Sequence, residues 1–394
     1  VGRLMSDTDS LPDGKLDFVK DICKRQGKEF EYAFLLDALE EEQDQGITID
    51  TSQIFFNTKK RRYVIIDAAG HKEFLKNMVT GAANAESALL LTDAHEGIQE
   101  QSRRHGYILK LLGLTQVAVV INKMDLVNYD PKIYNKIKSD YTEFLGSMGI
   151  EAREFIPVSA KLGVNIAQTS DKVPWYKGPS ILQMLDQFTE KKIPNHLPFR
   201  FPVQDVYKFD ERRIISGRVE SGKVNVGDQL VISPSNKVGG IKSIEAWSVD
   251  KQPKKAEASE SVGFTLGEQI FVERGDVASL KSELPIVSTT FDVNVFWMGQ
   301  RNLEKGKIYT LKLTTQEVPC EVVEFKKVTD ASTLETLKGQ EYLAKNDVAE
   351  VTLRTSTPVV FDLFGSIPTT GRFVLVDGYD GCGGGIITTY TPNK

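Results

Sequence analysis

Four short apolar runs, separated by segments with helical periodicity, most constrain the fold of the first half of the chain. The runs lie at residues 63–67, 88–93, 117–122 and 155–158. Strands covered on both faces of a parallel sheet are near-continuously apolar, as these runs are. Helical periodicity is clearest at residues 133–148, where apolar side chains recur every three or four positions. This pattern predicts an α/β domain with a parallel sheet.

The pattern changes after residue 195, where helical periodicity fades. Short strand-like runs between glycines follow, for example at residues 214–219 and 230–232, and this spacing predicts small β-barrels. A second break lies near residues 284–288. We therefore expect an α/β domain at residues 1–195, a β-barrel at residues 196–286 and another β-barrel at residues 287–394.

Composition excludes several classes of protein. With 40% apolar and 26% charged residues, the chain is neither disordered nor fibrous. No apolar run approaches the ~18 residues of a membrane helix, so we expect no membrane partner. The net charge of -5 gives no overall attraction to nucleic acid, which we also do not expect as a partner. Three widely spaced cysteines and an acidic, not apolar, N-terminus favour a cytoplasmic location.

Asp67 and Gly70 follow directly on the first apolar run. An Asp at the carboxyl end of a parallel strand lies at the edge where α/β sheets bind ligands, and it can hold Mg²⁺ through water. A glycine three residues later lets a backbone N–H approach a terminal phosphate. By itself, however, the DxxG pattern is also typical of a simple strand-end turn.

Asn122, Lys123 and Asp125 form a more specific pattern, NKxD, at the end of the run at residues 117–121. The Asp carboxylate can accept two N–H bonds from a guanine edge while the Lys stem covers the ring. Adenine would leave that carboxylate poorly paired, and a buried polar group without its partner is costly. The pattern therefore indicates a purine site that selects guanine.

Two further segments fit the same site. Ser159, Ala160 and Lys161 follow the run at residues 155–158 and would supply backbone N–H groups to the base. Thr48 precedes the Asp67 strand, where its hydroxyl and carbonyl oxygens could serve Mg²⁺ and the γ-phosphate in a segment that orders with triphosphate. Alone, the Thr48 segment is an ordinary loop–strand junction. The three strand-end elements in this order favour a guanine-nucleotide site over chance turns.

These motifs resemble the translation-factor class of P-loop GTPases. The matching motifs are GITID at residues 46–50, DxxGH at 67–71, NKMD at 122–125, SAK at 159–161, FPVQDVYKF at 201–209 and GRVESGKVNVGDQL at 217–230. Within that class, the chain resembles the family of large, GTP-hydrolysing subunits of ATP sulfurylase over essentially its whole length. Segments that carry this second resemblance include residues 103–107, 173–176, 244–247, 271–275 and 295–298.

The resemblance implies a GTPase whose hydrolysis of GTP drives synthesis of adenylylsulfate from ATP and sulfate, with adenylyl transfer on a smaller catalytic partner subunit. GTP and Mg²⁺ are the expected cofactors. Carried over by position, Asp67 and Thr48 would serve Mg²⁺, and Gly70 would contact the γ-phosphate. His71 would position or polarise the attacking water. The residues expected to bind the base are Asn122, Lys123, Asp125, Ser159, Ala160 and Lys161.

The chain departs from the family pattern in three places. The phosphate-binding GxxxxGK[ST] is absent from the 394 residues, and in the family it directly precedes the VGRL that begins here at Val1. We therefore expect a truncated start and very weak GTP binding by this chain, because the β- and γ-phosphates lose their main cradle. Ala69 replaces the usual proline, which we expect to loosen the switch loop, and Gln43 replaces the usual arginine.

Two other functions compete with the sulfurylase subunit. A translation factor carrying aminoacyl-tRNA would share the GTPase core and both barrels, but the sulfurylase-like segments and the negative net charge disfavour it. A scaffold that does not hydrolyse GTP would need none of Asp67, Gly70 and His71, so their retention disfavours that alternative.

Overall fold

The structure is a computed structural model and describes residues 1–27, 29–35, 52–68, 85–190, 193–208, 212–330, 335–337 and 339–392. The chain divides into two compact units. The N-terminal unit spans Val1–Lys191, and the C-terminal unit is formed by Lys192–Asp330 and Leu334–Lys394.

Within the described residues, the N-terminal unit has five α-helices and five strands. The helices are α1 (Gly2–Asp7), α2 (Lys15–Gln26), α3 (Glu100–Leu111), α4 (Pro131–Ser147) and α5 (Ile181–Leu185), with short 3₁₀ turns at Tyr32–Leu35 and Met124–Val127. The strands are β1 (Ser52–Asn57), β2 (Arg62–Asp67), β3 (Ala88–Asp93), β4 (Val117–Asn122) and β5 (Ala152–Pro157). None of the helices in the described part of the chain is both long and apolar enough to cross a membrane.

A parallel sheet in the order β3-β4-β5 forms the centre of this unit. Residues 117–121 of β4 are each at most 1% exposed, as a strand covered on both faces should be. Helix α4 begins after Asp130, whose carboxylate caps the Lys132 N–H at 2.7 Å, with Pro131 in the first turn. The sheet aligns the carboxyl ends of its strands along one edge.

The apolar run at residues 63–67 forms strand β2, but this strand does not pair as predicted. Strand β2 pairs antiparallel with β1 in a hairpin, and its residues are half-buried or exposed. The prediction that residues 63–67 form a strand of the parallel sheet is therefore wrong. Among the described residues, this strand pairs with β1 alone. Only four residues join β1 to β2, and so short a connection permits only antiparallel pairing. Phe56 of β1 nevertheless packs in the same apolar cluster as Val120 of β4.

The C-terminal unit contains two closed barrels, each with six antiparallel strands among the described residues. The first barrel is formed by β6 (Phe201–Tyr207), β7 (Ile214–Arg218), β9 (Gln229–Ser233), β10 (Lys237–Glu245), β12 (Ser261–Leu266) and β13 (Val277–Leu280), with β8 (Lys223–Asn225) and β11 (Lys255–Glu257) paired beside it. The second is formed by β14 (Ile286–Trp297), β16 (Ile308–Leu313), β17 (Gln316–Thr329), β19 (Val348–Phe361), β20 (Arg372–Asp377) and β21 (Asp380–Tyr390), with β15 (Leu303–Glu304) and β18 (Tyr342–Leu343) paired beside it. The expected fold class, an α/β domain followed by two β-barrels, is confirmed.

A buried ion pair joins the two barrels. Arg200, next to β6, donates from Nε and Nη2 to the two carboxylate oxygens of Asp362, which follows β19, at 2.8 and 2.9 Å. The Arg200 side chain is 3% exposed and that of Asp362 is 10% exposed. A pair held out of water in this way is costly to break, because either remaining charge would be left buried and uncompensated.

Candidate functional site

The carboxyl edge of the parallel sheet collects polar side chains from adjacent strands. Asp93 ends β3 and Asn122 ends β4, and the two are register partners. Strand β5 ends at Pro157, opposite Ile121, and the chain then continues to the buried Ser159. Ligands of open α/β sheets bind at this edge. The structure therefore brings two of the predicted motifs, NKMD and SAK, to one place.

Hydrogen bonds join the two motifs directly. The side-chain oxygen Oδ1 of Asn122 accepts from the backbone N–H of Ala160 at 3.0 Å. One step further along, the Met124 N–H donates to the Val158 carbonyl at 3.0 Å, and the Val158 N–H donates to the Ile121 carbonyl at 2.8 Å. These bonds fix the separation of the two loops.

Asp125 lies on the 3₁₀ turn Met124–Val127, half-buried at the surface of this edge. Within the described part of the chain, its carboxylate makes no hydrogen bond and no ion pair. Met124 beside it is fully buried and anchors the turn in the core. Both carboxylate oxygens of Asp125 are therefore available to a ligand that offers two N–H donors.

Lys123 reaches across the edge to Asp93, a partner that the sequence analysis missed. The ammonium Nζ lies 2.8 Å from Oδ2 of Asp93, while Oδ1 accepts from the backbone N–H of His95 at 2.7 Å. Burial alone raises the pKa of the Asp93 carboxyl, but the hydrogen bonds from Lys123 and His95 outweigh it, so the pKa lies below its ordinary value. The hydrogen bond to Asp93 is also the main reason that the pKa of Lys123 is raised.

Asp93 could have been found by the argument that found Asn122. It is the last residue of the run at residues 88–93, just as Asn122 ends its own run. The signal was present, but no motif known from the sequence included that aspartate. Its carboxylate fixes where the Lys123 side chain ends, so the aliphatic stem of that lysine spans the edge between β4 and β3.

Comparison with known proteins agrees with this geometry. Residues 13–191 match the family Elongation factor Tu GTP binding domain, and residues 290–388 match the family GTP-eEF1A C-terminal domain-like. Over 382 residues the chain is 37% identical to sulfate adenylyltransferase subunit 1 of Francisella tularensis subsp. novicida, covering 96% of this chain and 80% of that protein. The chain belongs to the family of elongation-factor-type GTPases that includes sulfate adenylyltransferase subunit 1.

Other known proteins are also similar over nearly the whole chain. Elongation factor 1-alpha of Methanosphaerula palustris is 36% identical over 386 residues, covering 96% of this chain and 90% of that protein. The crystal structure of Sup35 complexed with GDP covers 99% of this chain and 90% of its own, with a TM-score of 0.48 and 22% identity.

In this member of the GTPase family, the SAK loop already uses part of its hydrogen-bonding capacity within the protein. The Ser159 N–H and carbonyl pair with Val164, and the Ala160 N–H is bound to Asn122. Lys161 has an exposed ammonium 3.1 Å from Glu29, and this hydrogen bond raises its pKa. The Lys161 carbonyl accepts from Arg3 of α1 at 3.0 Å, so this bond connects α1 to the SAK loop.

The residues expected at the phosphate end of the GTPase site are only partly described. Asp67 is the last residue of β2, half-buried and opposite Ser52 of β1. Thr48, Gly70 and His71 lie outside the described residues, as do the two departures Gln43 and Ala69. The structure thus brings together the residues expected to bind the base, and their role, like those of Thr48, Gly70 and His71, stays a prediction.

Proposed function

We propose that the chain is the GTP-hydrolysing subunit of a sulfate adenylyltransferase. It would couple GTP hydrolysis to the synthesis of adenylylsulfate from ATP and sulfate in the cytoplasm, together with a smaller catalytic subunit. The proposed binding of GTP depends on the Asp125 carboxylate, which has no partner among the described residues. Asp125 lies in the NKMD loop, which the Asn122–Ala160 hydrogen bond joins to the SAK loop. The relative named sulfate adenylyltransferase subunit 1 supports the choice of reaction.

Guanine is the base that this edge suits. Its N1–H and 2-amino group are adjacent donors, and they match the two available oxygens of Asp125. Hydrogen bonds to a charged group contribute about 1.5–3 kcal/mol each, and a base that lacks one of these donors forfeits that contribution. The Lys123 stem, with its ammonium held by Asp93, would cover one face of the ring.

At the phosphate end, Asp67 is the described residue that fits Mg²⁺. It is a carboxylate at a strand end, and Mg²⁺ is bound in proteins through carboxylate oxygens and waters. Bound there, the ion would neutralise charge on the phosphates. We propose that Thr48 joins Asp67 in this role, that Gly70 contacts the γ-phosphate and that His71 orients the attacking water. Each of these roles follows from the motif positions in the sequence.

The reaction explains why hydrolysis is needed. Forming adenylylsulfate from ATP and sulfate is unfavourable by itself, so a coupled hydrolysis that releases free energy is required. We propose that the adenylyl-transfer site lies on the smaller subunit, as the resemblance to the sulfurylase subunits implies. This chain would then bind GTP, hydrolyse it and couple the free energy of hydrolysis to the reaction on its partner subunit.

A translation factor is the second candidate, because elongation factor 1-alpha is similar at 36% identity over 90% of its length. Such a factor must bind tRNA, and a polyanion is bound through phosphate contacts from Lys and Arg. This chain has 49 Lys and Arg against 54 Asp and Glu. The charge balance favours the sulfurylase subunit over a tRNA carrier.

Turnover assays separate the two candidates. GTP hydrolysis would be measured on the chain extended ahead of Val1 by a GxxxxGK[ST] loop, with the 394-residue chain alongside. If the proposal holds, ATP, sulfate and the small catalytic subunit together stimulate hydrolysis, and adenylylsulfate forms in proportion to GTP consumed. His71→Ala should abolish hydrolysis and leave GTP binding intact. Stimulation by ribosomes with aminoacyl-tRNA, and none by the sulfurylase components, would reject the proposal in favour of the translation factor.

A further inference from the structure

The turn that carries Asp125 has a strained backbone. Lys123, just before it, and Asn128 and Tyr129, just after it, have positive φ angles of 61°, 51° and 55°. This left-handed region disfavours every residue that has a Cβ atom, and it persists only where surrounding contacts hold it. Within the turn, the Tyr129 N–H donates to the Met124 carbonyl at 2.8 Å. Further bonds, such as that from the Leu126 N–H to the Lys123 carbonyl at 3.0 Å, hold the first residues of the turn, and the carbonyl of Tyr129 receives its support from outside the turn.

Trp175 supplies that support. Its indole Nε1 donates to the Tyr129 carbonyl at 3.0 Å, from 46 residues further along the chain. The indole ring packs against Tyr134 of α4 with ring centroids 4.9 Å apart. Tyr134 in turn donates from its hydroxyl to the Phe155 carbonyl of β5 at 2.9 Å. The hydrogen bond and the ring contact therefore connect the central sheet to the Asp125 turn.

Tyr129 connects the contact from Trp175 to Asp125. Burial raises the pKa of its phenol, and the nearby charge of Asp125 raises it further. Its hydroxyl is buried and, among the described residues, has no hydrogen-bond partner that meets normal geometry. The ring of Tyr129 thus lies near Asp125, while its backbone is held by Trp175.

We propose that Trp175 is a positioning residue for guanine selection, because its hydrogen bond to Tyr129 holds the turn that presents Asp125. The inference rests on the proposed function, since positioning Asp125 matters only if that carboxylate reads guanine. Trp175 belongs to the segment at residues 173–176, which carries part of the resemblance to the sulfurylase subunits but lies outside the nucleotide-binding motifs. Trp175 itself does not have to touch the nucleotide.

The comparison of GDP with IDP isolates this effect. Hypoxanthine lacks the 2-amino group, so IDP offers Asp125 one donor and GDP offers it two. One hydrogen bond to a carboxylate corresponds to a preference of about 10- to 100-fold for GDP. When the turn relaxes, the two-donor contact is lost, and GDP loses more affinity than IDP does. The ratio of the two dissociation constants therefore reports the position of Asp125.

The experiment titrates the 394-residue chain with GDP and with IDP by ligand-observed NMR, which measures millimolar dissociation constants. Trp175→Phe keeps an aromatic ring and removes the N–H donor. Tyr134→Phe is the matched control, because it also loses one hydrogen bond in the same aromatic cluster but leaves the bond between Trp175 and Tyr129 in place. Thermal unfolding of both variants shows whether their losses of stability are comparable.

We expect the preference for GDP to fall at least about fivefold in Trp175→Phe and to stay at the wild-type value in Tyr134→Phe. An unchanged preference in Trp175→Phe, with a discriminating wild type, overturns the positioning role and leaves the proposed function standing. An equal fall in both variants also overturns it, because general destabilisation then explains the change. A wild type that binds GDP and IDP equally well refutes the proposed guanine site, and the role of Trp175 falls with it.

Discussion

Replacing Arg200 tests the junction between the two barrels. Arg200→Met removes the two bonds to the Asp362 carboxylate and also the bonds from Nη1 to the carbonyls of Phe199 and Glu283, at 2.9 and 2.6 Å. The methionine fills much of the same volume. Among the described contacts, the buried Asp362 carboxylate then keeps the Thr370 hydroxyl, at 2.7 Å, as its side-chain partner.

The magnitude follows from burial. With side-chain exposures of 3% and 10%, this pair is nearly free of solvent screening, and removing one partner of such a pair costs about 3–5 kcal/mol. Arg354 provides a matched control on the surface of the second barrel. It binds Glu321 at 2.6 and 3.0 Å, but its side chain is 55% exposed. Arg354→Met should cost less than about 1 kcal/mol.

The assay is unfolding in urea, monitored by hydrogen exchange with mass spectrometry. Peptides from β9 and β14 report on the two barrels, and peptides from β4 report on the N-terminal unit within the same sample. Arg200→Met should lower the free energy of opening of the barrel peptides by about 3–5 kcal/mol. Peptides of β4 should exchange as in the wild type.

The double variant Arg200→Met with Asp362→Leu completes the test. Because neither charge remains buried, it should be more stable than Arg200→Met alone, as replacing a whole buried pair by apolar side chains is often neutral. A cost of Arg200→Met no greater than that of Arg354→Met would refute the argument from burial. Additive effects of the two substitutions would refute it as well.

Three further predictions concern individual side chains. Asp125→Asn should change the preferred nucleotide from GTP to XTP in a competition assay, because the new amide donates to the xanthine 2-carbonyl and still accepts from N1–H; retained preference for GTP would contradict the base-reading role. The pKa of Asp93 is lowered in the fold, so its ionised form stabilises the protein above its ordinary pKa, and this contribution is lost as pH falls through the folded value. The stability difference between the wild type and Asp93→Asn should therefore be present at pH 7 and shrink in acid, and a difference that stays constant down to pH 2 would exclude this linkage. Burial raises the pKa of the Cys320 thiol to about 12, so iodoacetamide at pH 8 should leave it unmodified until urea unfolds the chain; alkylation at the rate of a free thiol would show that the barrel opens readily.

Much of the fold could be predicted because its signals are local. The period of the apolar residues distinguished the α/β unit from the barrels, and the strand-end argument placed Asn122, Lys123 and Asp125 at the edge where the structure has them. Ser159 and Ala160 were found in the same way, and the structure joins Ala160 to Asn122. The roles of Thr48, Gly70 and His71 stay predictions, since these residues lie outside the described part of the chain.

Other features were not predictable from periodicity. The run at residues 63–67 has the apolar character of a parallel strand, but a four-residue turn pairs it antiparallel with β1. The strand-end position of Asp93 was visible in the sequence, but its pairing with Lys123 was not, because no spacing in the sequence encodes the path of that lysine side chain. The glycines at 383 and 385 illustrate the same limit, because a Cβ atom there would collide with the rings of Trp297 and Phe373.

The sequence by itself determined the period of each element, the order of the domains and the chemistry at the strand ends. Tertiary structure decided which side chains meet: Arg200 with Asp362 across 162 residues, and Trp175 with Tyr129 across 46. The physical reason is one of range. Apolar periodicity and turn chemistry act over a few residues, whereas a long-range partner is chosen by how sheets close and pack, and that choice depends on the whole chain at once.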